Sequence, residues 1–162
     1  ATRGLPIVIA RTYLGEVRDT YLAGSRNLTP GFMWSFERQL RGDPPSEGSA
    51  GSATYVRADG GEDPYRGTFS GPYLPGRVDM TSSLTVSGNR FYTLTFKDHT
   101  QLVFERADPD DTIARLVKEV DRNGNTNTYN WVRDPRGTYL FSIQDPAGRT
   151  VRLEYNPRRT RI

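Results

Sequence analysis

The side chains best equipped for chemistry are few and scattered. His99, the single histidine, stands in Phe96-Lys97-Asp98-His99-Thr100. A general base needs a nucleophile within reach and a third group to orient it. No G-x-S-x-G frame surrounds Ser70 or Ser87, so His99 reads as a turn residue. Asp121-Arg122-Asn123-Gly124-Asn125-Thr126-Asn127 spaces oxygen ligands at alternate positions, as calcium loops do. Its glycine falls at the fourth position and Val132 stands at the twelfth, where a calcium loop places glycine sixth and a bidentate glutamate twelfth. A turn is the better reading. Asp108-Pro109-Asp110-Asp111 is a second acidic cluster, read as a solvated loop. Glu105 and Asp121 are one carboxylate pair among many, and nothing in the spacing selects a pair for glycoside hydrolysis. No glycine loop is built to cradle phosphate. The chain has no cysteine, which removes disulfides, thiolate nucleophiles and cysteine-based metal sites. We therefore expect no enzyme, no catalytic residue, no cofactor and no metal.

What remains is aromatic. Tyr92, Phe96, Phe104, Tyr129, Trp131 and Tyr155 sit in alternating stretches. The packed face of a sheet explains such alternation directly. A stacking platform for sugars or bases is the rival.

The elements that must position these residues are strands. Ser83-Leu84-Thr85-Val86 precedes the turn Ser87-Gly88-Asn89. Tyr92, Leu94 and Phe96 then alternate with polar residues, and Leu102 and Phe104 follow after Lys97-Asp98-His99-Thr100, which is a hairpin pattern. Residues 5–13 form an apolar run with Pro6 near its start. Residues 32–40 present Phe32, Trp34, Phe36 and Arg38 on one face. Thr54–Arg57 is a short strand turned by Ala58-Asp59-Gly60-Gly61, and residues 71–76 read as an irregular link. Residues 42–53 lack any apolar side chain larger than Ala or Pro and read as a flexible surface loop. Residues 112–120 carry apolar side chains at helical spacing, but the repeat below makes them a strand.

Composition agrees with many short elements around a thin core. Of 162 residues, 35% are hydrophobic, with 16 Gly and 11 Pro, and mean hydropathy is −0.68. No apolar run approaches a membrane span and no signal peptide is visible. The opening Ala1-Thr2-Arg3-Gly4 reads as the middle of a longer protein. The net charge of +3 is matched by Arg158, Arg159 and Arg161 in the tail. The body is thus neutral, which argues against nucleic-acid binding, since that needs a basic face.

One periodicity stands out. Asp121-Arg122-Asn123-Gly124-Asn125-Thr126 aligns with Asp145-Pro146-Ala147-Gly148-Arg149-Thr150 at an offset of 24 residues. Carried outward, Leu116 meets Leu140, Thr128 meets Arg152, Tyr129 meets Leu153 and Trp131 meets Tyr155. The unit is an apolar strand, a D-x-x-G turn and an alternating strand ending in an aromatic residue. Asp bonds the backbone ahead of it, and Gly three positions on accepts positive φ. The repeat positions are Asp121, Gly124, Trp131, Asp145, Gly148 and Tyr155.

These two units, with Tyr155-Asn156 closing the second, resemble the YD repeats of the Rhs family. Gly4-Leu5-Pro6-Ile7-Val8-Ile9-Ala10-Arg11-Thr12-Tyr13, followed by Pro30-Gly31-Phe32-Met33-Trp34-Ser35, is similar to the segment that commonly opens an Rhs repeat region. Arg57-Ala58-Asp59-Gly60-Gly61 and Phe96-Lys97-Asp98-His99-Thr100 through Phe104 fit that region too. The resemblance covers most of the chain from Gly4 to Asn156. It implies an all-β fold of antiparallel hairpin repeats, with at most one short helix, forming part of a β-sheet that spirals into a hollow shell. Residues 1–110 would be the irregular opening region, and 111–162 two YD-like repeats of about 24 residues and a truncated tail. Such shells enclose the toxic domain of bacterial polymorphic toxins and toxin complexes, and teneurins use a related shell for adhesion. The resemblance thus implies a secreted or cell-surface bacterial scaffold. Its partners would be the remainder of its own polypeptide or an associated toxin or secretion component. The self-cleaving core motif and the toxic domain are not in this sequence. The rival class is a free-standing carbohydrate-binding module, with a glycan as partner.

Overall fold

A computed structural model describes residues 5–13, 32–43, 50–68, 71–108, 111–135 and 137–155. Its strands are β1 (Arg11–Tyr13), β2 (Phe32–Trp34), β3 (Gln39–Arg41), β4 (Ser52–Val56), β5 (Glu62–Thr68), β6 (Gly71–Pro75) and β7 (Ser83–Ser87). They continue as β8 (Phe91–Thr95), β9 (Gln101–Glu105), β10 (Ile113–Val120), β11 (Thr126–Asp134), β12 (Gly137–Gln144) and β13 (Thr150–Arg152). Among the described residues the only helical element is a single 3-10 turn, Ser35–Glu37. The chain is all-β and antiparallel.

Strands β3 to β10 pair in sequence order, and β10 returns to pair with β3, closing an eight-stranded barrel. Alternation makes its core. Tyr92 and Leu94 of β8 lie opposite Phe104 and Leu102 of β9, Leu94 also lies opposite Leu84, and Phe104 lies opposite Leu116. All six are buried, together with Tyr55, Tyr65 and Tyr73. Eight strands leave an interior that side chains can fill, and here aromatic rings fill it: Tyr55 meets Phe104 edge-on at 5.8 Å, and Tyr73 lies 6.3 Å from Tyr92. One barrel end is tied by Arg106, whose Nη2 donates to Gly42 O at 2.9 Å and whose guanidinium lies over the Tyr92 ring.

The expected spiralling shell is therefore corrected for this chain: the sheet closes upon itself. Closure depends on β3, whose place in the order no local signal announces. Strand β10 lies beyond the division expected at 110/111; it is a strand of the ring and also carries the three-stranded limb β11-β12-β13 that leaves it.

Several local expectations also change. Of the apolar run 5–13 only Arg11–Tyr13 is a strand, paired with β2, and Val8 is 62% exposed. The strand expected over 32–40 is interrupted by the 3-10 turn, so that Phe36 is buried while Trp34 and Arg38 are half-buried. That turn is held by the Glu37 carboxylate accepting from Trp34 N at 2.7 Å, and besides the expected Phe36 it buries Met33 and Leu40. Residues 71–75, expected to be irregular, are β6, with Tyr73 opposite Leu84. The flexible loop 42–53 narrows. Ser52 and Ala53 are in β4, Ala53 is buried, and Ser52 N donates to Asp43 O; residues 44–49 lie outside the described residues. So do Gly4, Pro30 and Gly31 of the opening segment, and Asn156 with the tail.

Candidate functional site

Strand β10 has two neighbours along one edge. Ile113–Arg115 pairs with β3, and Lys118–Val120 pairs with β11. At Thr128 the β11 ladder with β10 ends, and β3 takes over the edge. The gap falls at Leu116 and Val117. There Trp131 Nε1 donates to Leu116 O at 2.7 Å, so a carbonyl beside the fork receives a side-chain donor, as a buried acceptor must.

A charged cluster joins the three strands that meet here. Arg38 Nη2 donates to Glu119 Oε2 at 3.0 Å, and the Tyr129 hydroxyl donates to the same oxygen at 2.9 Å. Arg38 Nε donates to Ser35 O at 2.8 Å. Burial works against the Arg38 charge, but the Glu119 carboxylate outweighs it and holds the guanidinium's pKa above its ordinary value. Burial, reinforced by Glu119, pushes the Tyr129 phenol up, and burial pushes Tyr55 beside Arg38 up to about 12. All three groups are thus held in their ordinary neutral-pH forms. On the other side of the fork the Arg115 guanidinium lies 5.9 Å from the Trp131 ring centroid.

The same parts recur 24 residues on. Tyr155 Oη donates to Leu140 O at 2.6 Å, as Trp131 does to Leu116. Tyr139 packs edge-on against Tyr155, where Arg115 covers Trp131. The β9–β10 ladder shifts register between Leu116 and Lys118, and the β11–β12 ladder shifts between Leu140 and Ser142, so Val117 and Phe141 occupy one bulge position. The turns match bond for bond. Asp121 N donates to Asn125 O and Gly124 N to Asp121 O; Asp145 N donates to Arg149 O and Gly148 N to Asp145 O. Each Asp Oδ1 accepts two backbone N–H bonds, from Asn123 and Asn125 in one copy and from Ala147 and Arg149 in the other. Gly124 and Gly148 both have φ of 82°. All six repeat positions thus lie at two equivalent junctions.

The other expected residues fall elsewhere. His99 is exposed in its hairpin turn with φ of 67°. The oxygens of Asp121 face donors of their own turn, including Asn125 Nδ2 at 2.7 Å, so the alternate-oxygen pattern serves the turn. Among the described residues no three His, Asp or Glu side chains gather to hold a metal ion. Glu105 pairs with Arg90 near one end of the barrel. Asp121 lies beyond the other, some five residues or about 16 Å of strand away. Asp108 and Asp111 reach Arg133 and Arg115. Of the proposed stacking aromatics, Tyr92, Phe104 and Tyr129 are buried, and Phe96, Trp131 and Tyr155 pack against the same core.

No protein-family model matches this chain, and no curated protein matches it.

Among the described residues no helix is long and apolar enough to cross a membrane. The charged cluster is what sequence reasoning missed. Arg38 and Glu119 are 81 positions apart, and only the seat of β3 on β10 brings them together. Within this site the Leu116 carbonyl, the Glu119 carboxylate and the Tyr129 hydroxyl are paired, and the face of the Trp131 ring meets the Arg115 cation. Its chemistry is that of a joint: it lets a strand leave the sheet while its neighbour's carbonyl stays satisfied.

Proposed function

We propose that this chain is a non-enzymatic β scaffold of the Rhs type, which serves to enclose or display a toxin or adhesion module. The barrel would close one end of the array, and the limb β11-β12-β13 would be the first stretch of the repeating sheet. One observation carries the reading: the junction of Trp131 with Leu116 is rebuilt by Tyr155 with Leu140 at a fixed offset, with the same turn and the same bulge. A unit that rebuilds its own exit geometry is a unit that stacks.

The test is the parent reading frame and its particle. Further D-x-x-G units ending in an aromatic residue, together with a hollow density that has this barrel at one end by electron microscopy, are the expected result. A parent without further units, or a solid particle, overturns the reading. A glycan array serves the carbohydrate-binding rival, for which selective binding of one sugar class is the required outcome.

A further inference from the structure

One end of the barrel interior holds more hydrogen-bond donors than acceptors. Arg106 follows Phe104 by two positions, and its N donates to Arg90 O at 2.9 Å, which carries the β8–β9 ladder one step further. Its side chain therefore stays on the inward side with Leu102 and Phe104. The guanidinium lies over the Tyr92 ring, 5.4 Å from its centroid, and the Tyr92 ring is 6.3 Å from that of Tyr73. Arg106 is 5% exposed, and Tyr73 and Tyr92 are each 2% exposed. Arg106 Nε and the two hydroxyls are buried, and no described residue hydrogen-bonds any of them. The acidic neighbours of Arg106 in the chain, Glu105 and Asp108, pair with Arg90 and Arg133 instead.

Burial pushes the Tyr73 phenol up to about 12, with Tyr92 adding to the shift and Arg106 opposing it. Burial pushes Tyr92 up as well, again against Arg106. Both phenols thus keep their protons at neutral pH, and each lies within electrostatic reach of the cation.

We infer that Arg106, Tyr73 and Tyr92 bind one monovalent anion of halide size from solution, chloride being the abundant case. Buried polar groups are nearly always bonded, and a buried cation needs a counter-charge. A water molecule meets the first need and not the second. A carboxylate meets both, but it suits the two-pronged fork of a guanidinium, and here Nη2 is already committed to Gly42 O at 2.9 Å. A halide accepts single N–H and O–H donors from several directions and has no donor of its own to satisfy. The donors on offer are one N–H and two O–H, around a single positive charge. An ion held there only by the folded chain stabilises it by mass action, so the barrel's stability becomes chloride-dependent. The inference rests on the barrel interior and is independent of the scaffold reading.

Two measurements on the full chain test it. Crystals grown with bromide in place of chloride should show an anomalous peak within about 3.5 Å of Arg106 Nε and of both phenol oxygens. In solution, chloride replacing gluconate at constant ionic strength should raise the thermal unfolding midpoint. The double variant Tyr73→Phe, Tyr92→Phe keeps both rings and removes only the hydroxyls, so it should fold. It should need at least about tenfold more chloride for the same rise. Absence of the bromide peak, or a water or a carboxylate of the chain in that place, overturns the inference. So does an equal chloride response in parent and double variant. A bromide peak without any chloride response of the parent would be binding at crystal concentration only, and likewise overturns it.

Discussion

Trp131 and Tyr155 do the same work 24 residues apart: the indole Nε1 of one donates to Leu116 O at 2.7 Å, and the phenol of the other to Leu140 O at 2.6 Å. Two different ring systems reach one geometry because each carries a polar atom at the end of a flat apolar body. The acceptor residues Leu116 and Leu140 are both fully buried.

Removing either donor leaves a carbonyl short of a partner. Tyr155→Phe is expected to cost about 1 kcal/mol, and Trp131→Phe about 1–3 kcal/mol because ring area is lost as well. Urea unfolding with an unchanged slope checks this. A pair of variants within ~0.3 kcal/mol of the parent would show that the latches are incidental.

Gly124→Ala and Gly148→Ala isolate backbone strain. Both glycines have φ of 82°, and a Cβ on either would meet nothing within 4 Å. Each substitution should cost about 1–2 kcal/mol, the penalty of the left-handed region, and the two values should agree. Gly42→Ala should cost more, since its Cβ would run into the Ser52 carbonyl. If all three had equal costs, the crowding account of Gly42 would be wrong.

His99 occupies a glycine's place. In its turn Phe96 N donates to Thr100 O and His99 N to Phe96 O, the pattern of the Asp121 and Asp145 turns, and its φ of 67° is left-handed. His99→Gly relieves ~1–2 kcal/mol of strain and adds ~0.5–1 kcal/mol of unfolded-chain entropy. A net gain of about 0.5 kcal/mol in thermal or urea unfolding is expected. A loss above ~1 kcal/mol would mean that the imidazole holds a contact of its own.

Acid should weaken both repeat turns. Asn125's side chain and the turn amides hold the Asp121 carboxyl below its ordinary value. At Asp145 burial pulls upward, but the Arg149 guanidinium and backbone amides outweigh it, so that carboxyl also ionises more readily in the folded chain. A depressed folded pKa contributes stability above the unfolded value near ~4, lost as pH falls through the folded value. The urea midpoint is therefore expected to hold from about pH 7 to 5 and to fall below about pH 4. The double variant Asp121→Asn, Asp145→Asn should start lower at neutral pH and fall less steeply. Parallel curves for variant and parent would clear these two residues of the effect.

The β class, the hairpins after Ser83 and the 24-residue unit were legible in the chain itself because their causes are local. Period-two alternation, a D-x-x-G turn and an aromatic at a fixed distance act within a few residues of one another, and nothing distant has to cooperate. Asp121 and Asp145 bond amides two and four positions ahead. Strand β6 was hidden because two prolines and two glycines between residues 71 and 76 signal a turn locally, whereas Tyr73 reaches the core only through pairing with Leu84. Closure was hidden more deeply. Gln39–Arg41 is three residues long and carries little pattern of its own, yet it sits between β4 and β10 and turns an open sheet into a barrel. Its seat depends on where β11 leaves β10, and on Arg38 finding Glu119 across 81 positions. These are pairings among surfaces that exist only once the neighbouring strands are in place, so the tertiary structure alone decides them.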